Sequence, residues 1–282
     1  MTLVYLFGGV AFLFVGGDAL IRGAVALGRY FDLSPLVIGM IIVGFGTSVP
    51  ELVVCLDATI GGHSAMAVGN VLGSNISNIL LILAVVALVS PVGKPARLLM
   101  PDGCVLLAIS VLAVLLGLQA IVPFWQGVLM AALLFALVGA EYLRARHDAK
   151  TRKLLTSEMP LPAEVPRRPL VSMMLVVTGI AGVLYGADLL VAGATGLARF
   201  LGVTEGLIGL TIVAVGTSLP ELASSLTASW RGHSEVSYGN IVGSNLFNIL
   251  GTLGASIAVG PVTIPQVMML VDGPVMIFAT GL

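Results

Sequence analysis

Residues 46–52 read GTSVPEL and residues 216–222 read GTSLPEL; residues 69–80 read GNVLGSNISNIL and residues 239–250 read GNIVGSNLFNIL. Every matching pair is separated by 170 positions. The same spacing aligns Asp18 with Asp188, Gly23 with Gly193, Gly39 with Gly209, Gly62-His63-Ser64 with Gly232-His233-Ser234, Pro91 with Pro261 and Asp102-Gly103 with Asp272-Gly273. An ungapped correspondence of this length marks an internal duplication, and a repeat decides the architecture before any single element does.

Each copy is built from membrane-length segments. The 282 residues are 58% hydrophobic and only 10% charged, whereas a soluble domain carries roughly 25% charge. Apolar runs of about 20 residues, enough to cross a bilayer, recur along the chain. Spans are expected at about 2–27, 36–60, 65–90, 101–118 and 122–143, then at 169–198, 204–229 and 235–260, with a ninth starting near 267. The first run lacks the basic start and cleavage site of a signal peptide, so it is expected to be retained as a span. The first copy is then 1–143, with its repeated motifs in 36–90. A polar linker covers 144–168. The second copy is 169–282, with its motifs in 204–260, and is expected to end short of a fifth helix.

Five helices per copy is an odd number, so the second copy must enter the membrane upside down, the inverted-repeat plan of many secondary transporters. Basic residues give the orientation. With the N-terminus outside, Arg22, Arg29, Lys94, Arg97, Arg144, Arg146, Lys150, Arg152, Lys153, Arg167, Arg168 and Arg231 fall on the cytoplasmic side. Arg199 alone falls outside, as the positive-inside rule asks. The expectation is an all-α, multi-pass protein of the cell membrane with a cytoplasmic linker.

Glu51 and Glu221 lie in strongly apolar segments. A charge at the bilayer centre costs about 3 kcal/mol on insertion scales and usually marks an ion path. Helical spacing puts Thr47, Ser48 and Glu51 on one face, and likewise Thr217, Ser218 and Glu221. Pro50 and Pro220, read as lying inside these helices, would free the carbonyls near Gly44–Gly46 and Ala214–Gly216. In the second motif Ser74 and Asn78, and their counterparts Ser244 and Asn248, offer neutral oxygens. Asn75 and Asn245 suit interhelical hydrogen bonding at least as well. Such an all-oxygen set suits hard cations such as Ca²⁺ and Na⁺, and two carboxylates balance one Ca²⁺.

Ser64 and Ser234 read as helix N-caps, His63 and His233 as loop residues, and Cys55 and Cys104 as buried free thiols. Asp18 and Asp188 are candidates for bonds across helices or for an access path, and Asp57 is placed near the outer mouth. The composition excludes a soluble enzyme. The net charge of −1 suggests no nucleic-acid partner. No nucleotide loop, catalytic triad, cofactor motif or obligatory protein partner is visible.

The paired motifs resemble the two alpha repeats of the Ca²⁺/cation antiporter superfamily, and most nearly its prokaryotic Na⁺/Ca²⁺ exchanger group. That resemblance implies a ten-helix fold in which helices 2, 3, 7 and 8 surround the ions and helices 1 and 6 slide across them. It implies Glu51 and Glu221 as central Ca²⁺ ligands. Thr47, Ser48, Thr217, Ser218, Ser74 and Ser244, the carbonyls of Gly44 and Ala214, and Asn78 and Asn248 would complete the site. Some members carry Asp where this chain has Asn248, and in the K⁺-dependent exchangers that acid is tied to K⁺. Asn248 therefore resembles the K⁺-independent pattern and favours Na⁺ over H⁺ as counter-ion. A cation/H⁺ antiporter and a cation channel are the competing expectations.

Overall fold

A computed structural model describes residues 2–31, 33–90, 96–119, 121–147, 168–204, 208, 212, 214–260 and 262–282. Most of the linker and the start of the seventh span lie outside these residues. The described chain is all-helical apart from one two-residue strand pair. The helices are α1 (Thr2–Tyr30), α2 (Pro35–Thr47), α3 (Val49–Ile60), α4 (Ser64–Val89), α5 (Ala96–Gly117) and α6 (Phe124–His147). They continue with α7 (Pro169–Phe200), the single turn α8 (Ala214–Gly216), α9 (Leu219–Trp230), α10 (Ser234–Val259) and α11 (Gln266–Gly281). Strand β1 (Ile121–Val122) pairs antiparallel with β2 (Val262–Thr263).

Six of these helices are long and apolar enough to cross a membrane, and the bent pair α2–α3 makes a seventh. Large apolar side chains such as Leu3, Phe7, Leu88, Phe135 and Phe200 cover the outside, while Glu, Asn, Ser and Thr residues fill the centre. This arrangement suits a hydrocarbon solvent. The central helix is α10: 78% of its apolar window is buried, against 22–39% for the other five.

Small residues set the helix contacts. Gly9, Gly16 and Gly23 recur every seventh residue along α1, as do Gly179, Gly186 and Gly193 along α7. The two rows meet in antiparallel fashion. A Cβ at Gly9 would stand 2.7 Å from the Leu190 nitrogen, one at Gly16 2.6 Å from the Val183 nitrogen, and one at Gly23 2.7 Å from the Val176 nitrogen. Backbone thus touches backbone along the whole pair, the geometry that small residues permit between membrane helices. By contrast α2 and α10 run in the same direction: Gly39 abuts Val236 and Asn240, and Gly44 abuts Gly243 and Ser244.

The connections gather at two ends. At one, the β1–β2 pair joins the turn before α4, where the Ser64 hydroxyl accepts from the Thr263 amide (3.3 Å) and lies 3.4 Å from its carbonyl. Ser64 is therefore not an N-cap. His63 and His233 occupy the cap positions without side-chain capping bonds, and the serines begin the helices. At the other end Asp18 pairs with Arg22 (2.7 Å) and, across helices, with Arg231. Phe14 stacks on Trp230 with ring centres 5.5 Å apart.

His233 is buried beside Arg29 and Arg231. Burial and these two cations hold its imidazole below the ordinary pKa; both histidines lie in loops as expected, and His63, unlike His233, is exposed. Cys55 is buried and Cys104 is exposed, against the expectation of two buried thiols. Asp188, unlike its counterpart Asp18, is exposed, as is Asp57.

The Asp18–Arg231 pair ties α1 to the end of α9. Arg231→Ala and Asp18→Asn are each expected to lower the melting temperature in detergent by about 2–4 °C, corresponding to about 1 kcal/mol. The double variant is expected to fall no further than either single one, as a double-mutant cycle requires of two interacting groups. Additive losses would mean that the two charges act separately.

Candidate cation site

The repeated GTS-x-PE motif breaks its helix at the serine. Ser48 (φ −88°, ψ 7°) and Ser218 (φ −92°, ψ 3°) both leave the helical region, and α2 and α3 meet at 43°. The prolines are not interior kinks. Pro50 and Pro220 sit in the opening residues of α3 and α9, where the missing N–H leaves no helical bond unmade. Glu51 and Glu221 follow in the first turn, so each carboxylate lies at the positive end of a helix. Both are about 1% exposed.

The two motifs meet. The Ser48 hydroxyl donates to Glu221 Oε1 at 3.0 Å, so a side chain from the first copy holds the carboxylate of the second. Ser244 donates to the Gly44 carbonyl at 3.2 Å. The Thr47 hydroxyl lies 3.2–3.4 Å from the carbonyls of Val43 and Gly44 and from Asn240 Oδ1. Asn78 donates to Asn245 Oδ1 at 2.9 Å, joining α4 to α10. Asn75 donates back to Val71 of its own helix at 2.7 Å. Asn245 therefore bonds between helices, and the Asn75 amide bonds within its own helix.

Ser74 is buried, Thr217 is half-buried and engaged, and Ala214 begins the turn α8. The backbone of α10 and α4 adds a further feature: π-helical turns at Asn78–Leu83 and Phe247–Leu253, each opening at or next to the motif asparagine. A third spans Ile38–Gly44. Such turns cluster at functional sites because they re-aim side chains and loosen carbonyls.

Several oxygens at this meeting point have no hydrogen-bond partner among the described residues: Oε2 of Glu51 and of Glu221, Oγ of Ser218, and Oδ1 of Asn78 and of Asn248. An unsatisfied buried polar atom costs about 1–3 kcal/mol, and a cluster of acceptors calls for something positive between them. Among the described residues no three of His, Cys, Asp and Glu come together. The donor set is thus two carboxylates among neutral oxygens, the chemistry of a hard-cation site.

One buried residue escaped the sequence analysis. The Asn240 amide nitrogen lies 3.3 Å from the Glu221 carbonyl, 3.0 Å from Ser224 Oγ and 2.7 Å from Ser225 Oγ, while its Oδ1 faces Thr47. It ties α2, α9 and α10 together behind the carboxylate. Its counterpart Asn70 is half-buried and, among the described residues, reaches the Cys55 sulfur at 3.3 Å. The repeated Gly-Asn that opens the second motif was the available signal.

A multi-pass helical protein with buried oxygen donors at its centre has the architecture of a membrane cation transporter. The family model described as "Sodium/calcium exchanger protein" matches residues 1–142 and 171–282. The chain belongs to that family, within the Ca²⁺/cation antiporter superfamily. It is 35% identical over 257 residues to the inner membrane protein YrbG of Escherichia coli (strain K12), covering 90% of this chain and 78% of that one. It is 29% identical over 301 residues to the sodium/calcium exchanger MaX1 of Methanosarcina acetivorans, covering 95% and 86%. The sodium-calcium exchanger NCX_Mj, solved after soaking with zero Na⁺ and Ca²⁺, superposes with a TM-score of 0.82 at 29% identity, over 99% of this chain and 89% of that one.

Proposed function

We propose that this protein exchanges Ca²⁺ for Na⁺ across the membrane by alternating access, without K⁺. The ions would be held by Glu51, Glu221, Thr47, Ser48, Thr217, Ser218, Ser74, Asn78, Ser244 and Asn248 and by the carbonyls of Gly44 and Ala214. The observation that carries this reading is the pair of buried carboxylates. Each starts a half-helix, Ser48 of the first copy bonds Glu221 of the second, and each carboxylate keeps one oxygen without a partner among the described residues. Two carboxylates neutralise one Ca²⁺, and the same oxygens serve Na⁺ when Ca²⁺ leaves. Mutual exclusion at one site is what couples the two fluxes.

The repeats 1–143 and 169–282 are inverted in this reading, with the N-terminus outside and the linker 144–168 in the cytoplasm. The antiparallel α1–α7 pair and the parallel α2–α10 pair support it, since odd-numbered copies must place their helices so. Alternating access then takes the form of movement of the α1–α7 pair over the helices that carry the site. Asn248 supports Na⁺ as counter-ion because an amide in place of a carboxyl takes up no proton.

Purified protein in proteoliposomes is expected to take up ⁴⁵Ca²⁺ when Na⁺ is loaded inside, at the same rate with and without K⁺. Uptake driven by a pH gradient in the absence of Na⁺ would replace this reading with Ca²⁺/H⁺ exchange. A rate that climbs without saturating in Ca²⁺ would point to a channel.

A further inference from the structure

Along α10 the polar face continues beyond the site. Ser244, Asn248, Thr252 and Ser256 recur every fourth residue and all four are fully buried. Buried hydroxyls in helices ordinarily donate to the carbonyl one turn back. Ser110, Ser224, Thr227 and Thr280 of this protein do so at 2.7–2.9 Å. Thr252 and Ser256 do not: their hydroxyls, and both polar atoms of Asn248, have no partner among the described residues. The matching positions of the first copy are Asn78, Ile82 and Val86. There Ile82 and Val86 are buried in an apolar cluster with Leu222 and Leu226. The polar continuation therefore belongs to one half only.

The neighbour of this face is α3, which packs against both the π-helical turn of α10 and the segment after it. At the far end a Cβ on Gly260 would stand 3.9 Å from Thr59 Cγ2. A helix that meets the end of α10 there and also reaches its π turn must run in the same direction. Equal steps back along both helices from that contact bring Cys55 to the level of Ser256 after about one turn, and Glu51 to the level of Thr252 after a little over two. On the α3 side, Glu51 Oε2 and Thr59 Oγ1 are likewise buried without partners.

We propose that Thr252 and Ser256, with Glu51 Oε2 and Asn248 Oδ1, form a subsite for a monovalent hard cation, Na⁺ in the exchange proposed above, on which this assignment rests. The charge count sets the selectivity. One carboxylate and three neutral oxygens balance a single positive charge. A divalent ion held there by Glu51 alone would keep an unneutralised charge in a low-dielectric interior, which is costly.

The test is the Na⁺ dependence of ⁴⁵Ca²⁺ flux in proteoliposomes for the wild type, Thr252→Val, Thr252→Ser and Ser256→Ala. Valine keeps the shape and removes the oxygen. It is expected to raise the half-saturating Na⁺ concentration about fivefold or more and to lower the Hill coefficient. The Ca²⁺ dependence of Ca²⁺/Ca²⁺ exchange should move much less. Serine should restore the Na⁺ behaviour, and Ser256→Ala should move it in the direction of valine. An unchanged Na⁺ dependence in both Thr252→Val and Ser256→Ala would overturn the subsite, as would equal losses for the two ions. If the wild type shows no Na⁺-driven flux, the exchange reading fails. Equilibrium ²²Na⁺ binding to purified wild type and Thr252→Val then decides the subsite by itself, with weaker binding expected in the variant and equal binding overturning it.

Discussion

Glu221→Gln is expected to lower Na⁺-driven Ca²⁺ flux by about a hundredfold or more, with the protein still monodisperse in detergent. Glutamine keeps the volume of the side chain and an acceptor for the Ser48 hydroxyl at 3.0 Å, so the fold keeps its contacts. What disappears is one of the two negative charges that, in the proposed site, would face a divalent ion; both side chains are about 1% exposed. A buried charge left without its counter-charge costs about 3–5 kcal/mol, and about 2.7 kcal/mol already corresponds to a hundredfold. Glu51→Gln is expected to do the same. Initial ⁴⁵Ca²⁺ rates against Ca²⁺ concentration measure the effect, and a loss under tenfold would remove Glu221 from the centre of the site.

The second large effect concerns packing. Gly179→Leu is expected to lower the melting temperature in detergent by about 10 °C and to abolish flux. A Cβ at Gly179 would stand 2.4 Å from the Leu20 nitrogen and 2.6 Å from its Cα. Both atoms are backbone and have no rotamer to yield. Overpacking a well-filled contact costs about 1–3 kcal/mol or more, at about 2–4 °C per kcal/mol. Gly139 on α6 has nothing within 4 Å of its hypothetical Cβ, so Gly139→Leu is the control and is expected to leave both quantities unchanged. Equal stability of the two variants would show that α1 and α7 can separate at little cost.

The helices, and the approach of the two motifs, were legible because membrane length and duplication are properties of the chain itself. Whether a proline is inside a helix or at its start was not. Pro50 has the same neighbours in either case, and only the non-helical ψ at Ser48 distinguishes them. Motifs identical in the two copies also diverge where the fold is asymmetric. His63 and His233 share the Gly-His-Ser frame, yet the first is exposed and the second is buried beside two arginines. Asn70 and Asn240 share Gly-Asn, yet only Asn240 meets hydroxyls, because Ser225 stands where the first copy has Cys55. Thr252 and Ser256 drew no notice because isolated hydroxyls in an apolar helix have no signature until their missing carbonyl bonds are seen.

The glycine rows on α1 and α7 bear on a failure that any exchanger must avoid. If a gate at each membrane face were moved by a different helix with slack between them, both could stand open for an instant. Ions would then run down their gradients without doing work. Two helices meshed backbone to backbone at every seventh residue leave no play: a displacement of one is a displacement of the other. In the cycle proposed above, opening one face closes the other by the same motion. Energy conservation then depends on the absence of six side chains as well as on the carboxylates that hold the ions.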